Sequence, residues 1–168
     1  MRRGADVIVV GGGIIGCAIA RELAARGAAV RIFEGRTVGA GATQASAGIL
    51  APYIEGHDRG PLLDLTLRSL TMFDDFVARA TEGSAIDVEY RRCGSLEIAA
   101  DEATADTFRR ATDAASAEQR WLTAIETRRL EPALPDSIHG AILIPSHGYV
   151  AVSSLTEALV WAALRHGA

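Results

Sequence analysis

Cysteine is scarce in this sequence: Cys17 and Cys93 are the only two, far apart and in no metal-ligand spacing. A disulfide scaffold is therefore excluded, and a reducing compartment, the cytoplasm, is the expected location. The four histidines (His57, His139, His147 and His166) are scattered without a ligand pattern, so no metal site is expected. An excess of one charge is also missing. The formal net charge of −4 gives neither nucleic acid nor an anionic membrane a reason to bind. Long hydrophobic runs are absent as well. The apolar stretch after Met1-Arg2-Arg3 ends at Ile14-Ile15-Gly16-Cys17 and is too short to span a bilayer. It superficially resembles a lipoprotein signal with an acylated cysteine, but Asp6 interrupts its approach, and cleavage there would destroy the motif described next. There is no internal repeat and no low-complexity linker. With 49% hydrophobic and 23% charged residues, the chain has the composition of a folded protein rather than a disordered one, and its 168 residues suffice for a sizeable core.

What is present begins at Asp6. Val7 to Val10 is a β-branched run of the kind that fits a strand buried on both faces. Gly11, Gly13 and Gly16 then spell G-x-G-x-x-G. In such a motif the first glycine permits a tight turn, the second lets a pyrophosphate approach the backbone, and the third lets the helix pack close to the strand. The helix that opens here would point its unpaired N–H groups and positive end at phosphates. Ile15, Ile19 and Leu23 predict an apolar stripe turned toward the sheet. Gly27 stops the helix, and Val30, Ile32 and Phe33 restart a strand that closes on Glu34, 18 residues after Gly16. A carboxylate there accepts hydrogen bonds from ribose hydroxyls and repels a 2′-phosphate. Strand, helix, helix stop, second strand and acid together predict an ADP-binding βαβ unit.

The next stretch, Gly35 to Ile54, is dense in Gly, Ala, Ser and Thr. Small residues let backbone approach a ligand, and Thr43, Gln44 and Ser46 add side-chain donors. The other reading is a surface loop of turn formers. Against it, the stretch directly follows the acid and ends in Ala47-Gly48-Ile49-Leu50, which looks packed. G-x-G-x-x-G, Phe33-Glu34, Val38-Gly39-x-Gly41-Ala42-Thr43 and Ala45-Ser46-Ala47-Gly48-Ile49-Leu50 in this order resemble the FAD-dependent amino-acid and amine oxidases of the D-amino-acid oxidase type. Within that family the resemblance is greatest to the glycine oxidase of thiamine biosynthesis. It implies FAD as cofactor, held by Gly11, Gly13, Ile14, Ile15, Gly16, Glu34, Gly35, Ala42, Thr43, Gln44, Ala47, Gly48 and Ile49, with Ile49 nearest the flavin ring. It further implies oxidation of a small amine or amino acid: hydride to flavin, hydrolysis of the imine, and O2 reduced to hydrogen peroxide. No catalytic acid or base is assigned, since this kind of family member needs none.

Farther along, Gly60 to Ala80 predicts a helix whose apolar face is Leu63, Leu67, Leu70, Phe73 and Val77. Ile86 to Ala100 alternates around Cys93-Gly94-Ser95 and predicts two strands, or one with a bulge. Asp101 can cap a surface helix from Glu102 to about Ala117. Thr123-Ala124-Ile125-Glu126 predicts a capping box opening a short helix that stops before Pro132, and Ile138 to Ile144 predicts a strand. Ser154-Leu155-Thr156-Glu157 predicts a second capping box, opening a helix with Leu155 and Leu159 inward.

The fold class expected is α/β, a Rossmann-like FAD-binding βαβ start with a truncated parallel sheet, joined to part of an α+β substrate domain with antiparallel strands. The expected divisions are an FAD-binding region at 1–80, a partial substrate domain at 81–150, and a helix at 151–168 returning to the FAD region. The chain ends where a further parallel strand would begin, which predicts the N-terminal half of an oxidase, inactive alone. Its substrate-binding residues would then lie beyond residue 168. Expected partners are a small amine or amino-acid substrate, O2, and either a second copy or a complementing C-terminal half. A non-enzymatic or decayed nucleotide-binding fragment and an NAD-dependent dehydrogenase are the competing readings.

Overall fold

The β-branched run at Val7 and the apolar run at Val30 form a parallel ladder, with Val7 opposite Val30 and Val10 opposite Phe33. A computed structural model of the chain describes residues 4–55, 60–113 and 118–168. Its elements are β1 (Val7–Val10), α1 (Ile14–Ala25), β2 (Val30–Phe33), α2 (Ala42–Ala45), β3 (Ile49–Leu50), α3 (Pro52–Glu55), α4 (Pro61–Thr71) and α5 (Phe73–Thr81). There follow β4 (Tyr90–Arg91), β5 (Ser95–Ala99), α6 (Glu102–Asp113), β6 (Arg120–Thr123), α7 (Ala124–Leu130), β7 (Gly140–Ile144), β8 (Gly148–Val150) and α8 (Val152–Arg165). The chain is thus α/β, and its described residues form one parallel pair and two antiparallel sheets, ordered β3-β8-β4 and β5-β7-β6.

Two compact units result: Met1–Ile49 with Asp64–Arg91 and Tyr149–Ala168, and Leu50–Leu63 with Arg92–Gly148. In the first, α1 packs on Val9, Val30 and Ile32 through Ala20, Leu23 and Ala24. Along its flank, Cys17 joins Leu155, Ala158 and Leu159 of α8 and Val77 and Ala80 of α5 in a second core cluster. The small residues at 17, 20, 24 and 158 let helix axes and sheet approach closely, and Leu155 and Leu159 fill what remains. In the second unit β7 is the central strand, flanked antiparallel by β5 and β6, with Ala141, Ile142 and Ile144 buried. Thr123 forms the expected capping box at the start of α7, and Asp101 caps α6 by accepting the Thr104 N–H at 2.7 Å.

Several expectations are corrected. Of the stripe Ile15, Ile19, Leu23 only Leu23 packs on the sheet: Ile15 is 72% and Ile19 48% exposed, and the buried set of α1 is Cys17, Ala20, Arg21 and Ala24. The reason is tertiary, because α8 and α5 claim that flank and select small side chains over large ones. Nor is β1 buried on both faces. Val7 and Val9 are half-buried, whereas Ile8 and Val10 are exposed on the opposite face together with Phe33. The helix at 60–80 breaks at Met72, where the Thr71 hydroxyl donates to the Arg68 carbonyl, although Leu70 and Val77 stay buried as expected. The second capping box does not form: α8 starts at Val152, and Ser154 and Glu157 lie within it. The Ala151 N–H is already taken by the Glu89 carbonyl, and the Ala151 carbonyl accepts from the Leu155 N–H, so the first turn closes ahead of Ser154. The alternation around Cys93 resolves into two strands in different sheets, β4 against β8 and β5 against β7. The end of the helix expected to reach Ala117, and His57, lie outside the described residues.

Candidate functional site

The glycine turn after β1 is built from backbone restraints that leave little choice of residue. Gly11 has φ +104° and donates its N–H to the Phe33 carbonyl at 2.8 Å, and the direction in which a side chain would point is open space. At Gly16 a Cβ would stand 2.1 Å from the Gly11 carbonyl oxygen, so only glycine lets α1 begin this close beneath the turn. A Cβ at Gly13 would come within 3.0 Å of the Thr43 hydroxyl. Gly13 has no side chain with which to cap α1 and no acidic residue sits within the first turn, so what meets the positive end of the helix comes from elsewhere in the chain.

Glu34 reaches this turn from the end of β2. Its Oε2 accepts the Gly12 N–H at 2.8 Å and its Oε1 accepts the Arg36 N–H at 2.8 Å. Those two backbone donors, Gly12 first, hold the carboxyl below the usual carboxylate range while it remains fully exposed. It is therefore ionised at neutral pH, fixed in direction, and keeps further lone pairs toward solvent. Burial, with Glu34 adding to it, pushes the Cys17 thiol up, and Cys17 Sγ donates to the Gly12 carbonyl at 3.4 Å, so this cysteine is an inert packing group.

The small-residue run folds back over the same turn. Gly39, with φ +76°, donates to the Gly12 carbonyl at 2.9 Å, and Gln44 donates to the Gly39 carbonyl at 3.0 Å. From α2, the buried Thr43 accepts the Ile14 N–H on its hydroxyl at 3.0 Å. Gly11, Gly13, Gly16, Ile14, Glu34 and Thr43 are thereby drawn to one place, with Ala42 and Gln44 beside Thr43 on α2. Gly35 is exposed next to Glu34, and Ile15 points outward from the first turn of α1. Gly48 is buried against β8: its carbonyl accepts the Val150 N–H at 3.0 Å, and its φ of +70° suits glycine. Ala47 and Ile49 on either side of it are exposed, Ile49 by 64%.

The cofactor-binding residues read from the sequence leave out Gly12, whose peptide is the hub of this network, and Gly39, quoted there only within the family pattern, which hangs the loop from it. They also leave out the outer face of α8. Ser153, Thr156, Glu157 and Val160 enclose with Thr37–Ala40 and Gln44 a cavity of about 480 Å³. Only the spacing of Gly39 and Gly41 hinted at such a loop. A larger hollow of about 730 Å³ in the second unit is lined by Leu96, Ile98, Leu130, Leu134 and Leu143 together with Arg92, Ser95 and Glu131.

A βαβ crossover with a glycine turn at the helix start and an acid closing the second strand defines a dinucleotide-binding α/β fold. The chain belongs to the DAO family of FAD dependent oxidoreductases, which its residues 6–168 match. It is 37% identical to the glycine oxidase of Geobacillus kaustophilus over 97% of this chain and 44% of that protein. The crystal structure of a glycine oxidase from the same organism superposes with a TM-score of 0.87, at 36% identity, covering 97% of this chain and 45% of the other. The Bacillus cereus glycine oxidase superposes with a TM-score of 0.86 at 32% identity, covering 98% and 46%. A bifunctional ThiO/ThiG protein of Synechocystis is 31% identical over 97% of this chain and 24% of its own length. The resemblance read from the glycine motif and the run behind it is borne out, and the chain spans less than half the length of these relatives. Among the described residues no helix is long and apolar enough to cross a membrane.

Proposed function

We propose that this chain forms the part of an FAD-dependent amine or amino-acid oxidase that holds the dinucleotide, and that the whole protein oxidises glycine or a similarly small amine. The single observation that carries the reading is the convergence of Glu34 and Gly39 on Gly12, with Thr43 fastened to the Ile14 N–H at the adjoining start of α1. The residues fit the group. Open space lies over Gly11, the N-terminus of α1 opens directly behind it with no acidic residue in its first turn, and an ionised carboxylate is fixed beside them, which is the donor and acceptor set that a pyrophosphate and an adenosine ribose require.

In this reading Glu34 accepts the ribose hydroxyls and rejects a 2′-phosphate by charge. Gly11, Gly13 and Gly16 keep side chains away from the pyrophosphate, while Ile14, Ile15 and Gly35 line its approach. Ala42, Thr43 and Gln44 border the pyrophosphate from α2, and Ala47, Gly48 and Ile49 extend the wall toward the redox ring. Bound FAD would supply the redox chemistry, acceptance of a hydride from the carbon bearing the amino group and two-electron reduction of O2 to hydrogen peroxide, with water hydrolysing the imine product.

The test is a titration of the purified chain with FAD and with NAD, followed by flavin absorbance and by amine-dependent peroxide release. Both are repeated after supplying the segment corresponding to the remaining half of the relatives. FAD retention with that segment, together with peroxide formed from glycine or another small amine, is the expected result. Retention of NAD in place of FAD would overturn the reading, as would FAD retention with no amine-dependent peroxide under any pairing.

A further inference from the structure

His147, in the connection between β7 and β8, is 1% exposed, and both of its ring nitrogens are engaged by neutral groups. Nδ1 lies 2.8 Å from the Ser95 hydroxyl on β5, and Nε2 accepts the Tyr53 backbone N–H from α3 at 3.4 Å. The Tyr53 ring stacks on the imidazole with centroids 5.7 Å apart, and its hydroxyl donates to Glu118. A backbone N–H can only donate, so Nε2 carries no proton, Nδ1 carries it, and the Ser95 hydroxyl accepts. The backbone of His147 is pinned too: its carbonyl accepts the Gly94 N–H at 2.9 Å.

The partner it holds is weak by itself. α3 is a single turn, Pro52–Glu55, and one turn does not sustain itself without outside contacts. It follows directly on Ile49-Leu50 in the chain. We propose that His147 is a pH-operated clasp for α3: the neutral imidazole fastens the turn through Tyr53, and protonation of Nε2 sets a donor against a donor and releases it. Among the described side chains, the charged groups on the elements packed here are Arg92, whose guanidinium donates to the Ser146 carbonyl, Glu118 on the Tyr53 hydroxyl, and Glu97, two residues along β5 from Ser95. Burial holds the imidazole below the ordinary histidine value. The sign follows. The closed state excludes the proton and the open state does not, so the clasp is fully fastened above about pH 6.5 and loosens as pH falls below it, by up to about tenfold in the opening equilibrium per pH unit.

Amide hydrogen exchange of the 168-residue chain between pH 7.5 and 5, corrected for intrinsic exchange chemistry, tests this. Protection of the Tyr53 amide should fall by about tenfold per unit below about pH 6.5 in the wild type. In His147→Gln, where a carboxamide oxygen accepts without titrating, protection should stay level. A wild-type profile without pH dependence, or a His147→Gln profile that follows the wild type, overturns the proposal. Nitrogen chemical shifts of the His147 ring give an independent reading should the variant not fold. Protonation at Nδ1 with a midpoint below about 6.5 is expected, and a proton on Nε2 or an ordinary midpoint would sink the idea. Neither measurement needs flavin, so the clasp and the cofactor reading stand or fall separately.

Discussion

Three glycines in the first unit separate two physical costs that usually arrive together. Gly27, with φ +88°, has nothing within 4 Å of the point where a Cβ would stand, so Gly27→Ala should cost only the strain of a left-handed backbone, about 1–2 kcal/mol. Gly16 is the converse. It sits inside α1 without a positive φ, where alanine would ordinarily gain about 1 kcal/mol of helix propensity. Its Cβ would nonetheless stand 2.1 Å from the Gly11 carbonyl oxygen, so the turn or the helix must move by roughly 1 Å, an overpacking cost of about 1–3 kcal/mol. Gly48 carries both burdens: φ is +70°, and a Cβ would meet the Val150 carbonyl oxygen at 2.0 Å and Val152 Cγ2 at 2.8 Å. Adding the two costs gives about 2–5 kcal/mol for Gly48→Ala, a large share of the ~5–15 kcal/mol that holds a domain together. Urea unfolding followed by far-UV circular dichroism ranks the three, with Gly48→Ala expected to be least stable and Gly16→Ala, after its propensity gain, about 0–2 kcal/mol below wild type. A Gly16→Ala variant more stable than wild type would refute the claim that the turn and helix start are locked by carbonyl contact. FAD titration adds a second axis, since Gly16→Ala should lose affinity by tenfold or more whereas Gly27→Ala should not.

Other expectations test separate parts of the chain. The depressed Glu34 carboxyl contributes stability that is present above its unfolded value, near 4.3, and is lost as pH falls through the lower folded value. Glu34→Gln should therefore remove that increment of acid sensitivity from a series of melting temperatures, and should weaken FAD several-fold at neutral pH. An unchanged acid profile would show that the Gly12 and Arg36 contacts do not persist in solution. Leu159→Ala, at a fully buried position between α8 and its neighbours, should cost about 2–5 kcal/mol in denaturant unfolding, and a loss under 1 kcal/mol would mean that this core is loosely packed. Thr123→Ala removes the capping hydroxyl of α7 and should cost about 1 kcal/mol, with Thr123→Ser recovering most of it.

What could be read along the chain was whatever depends on neighbours in sequence. The glycine turn, the stop at Gly27 and the box at Thr123 are local devices, each fixed by dihedral preference or by a bond spanning a few residues, so the residues themselves announce them. The outer positions of the βαβ unit were legible for the same reason: one strand, one helix and one strand set the distance from Gly16 to Glu34. The Gly35–Ile49 run was legible as a composition, but its attachment to the turn through Gly39 and Thr43 was not, because those bonds reach back more than twenty residues.

Tertiary packing decided the rest. Nothing in Ile15, Ile19 and Leu23 says that α8 and α5 will take the neighbouring flank of α1 and bury Cys17, Ala20, Arg21 and Ala24 instead. The Ser154 box had correct spacing and failed because the Ala151 peptide was already committed to Glu89 and Leu155. His147 read as one of four scattered histidines until the fold set Ser95 and Tyr53 on its two nitrogens. Hydrophobic burial is non-directional and has no memory of sequence distance. Which side of a helix is covered, and which polar group meets which, is therefore settled only when all the elements compete for the same surface.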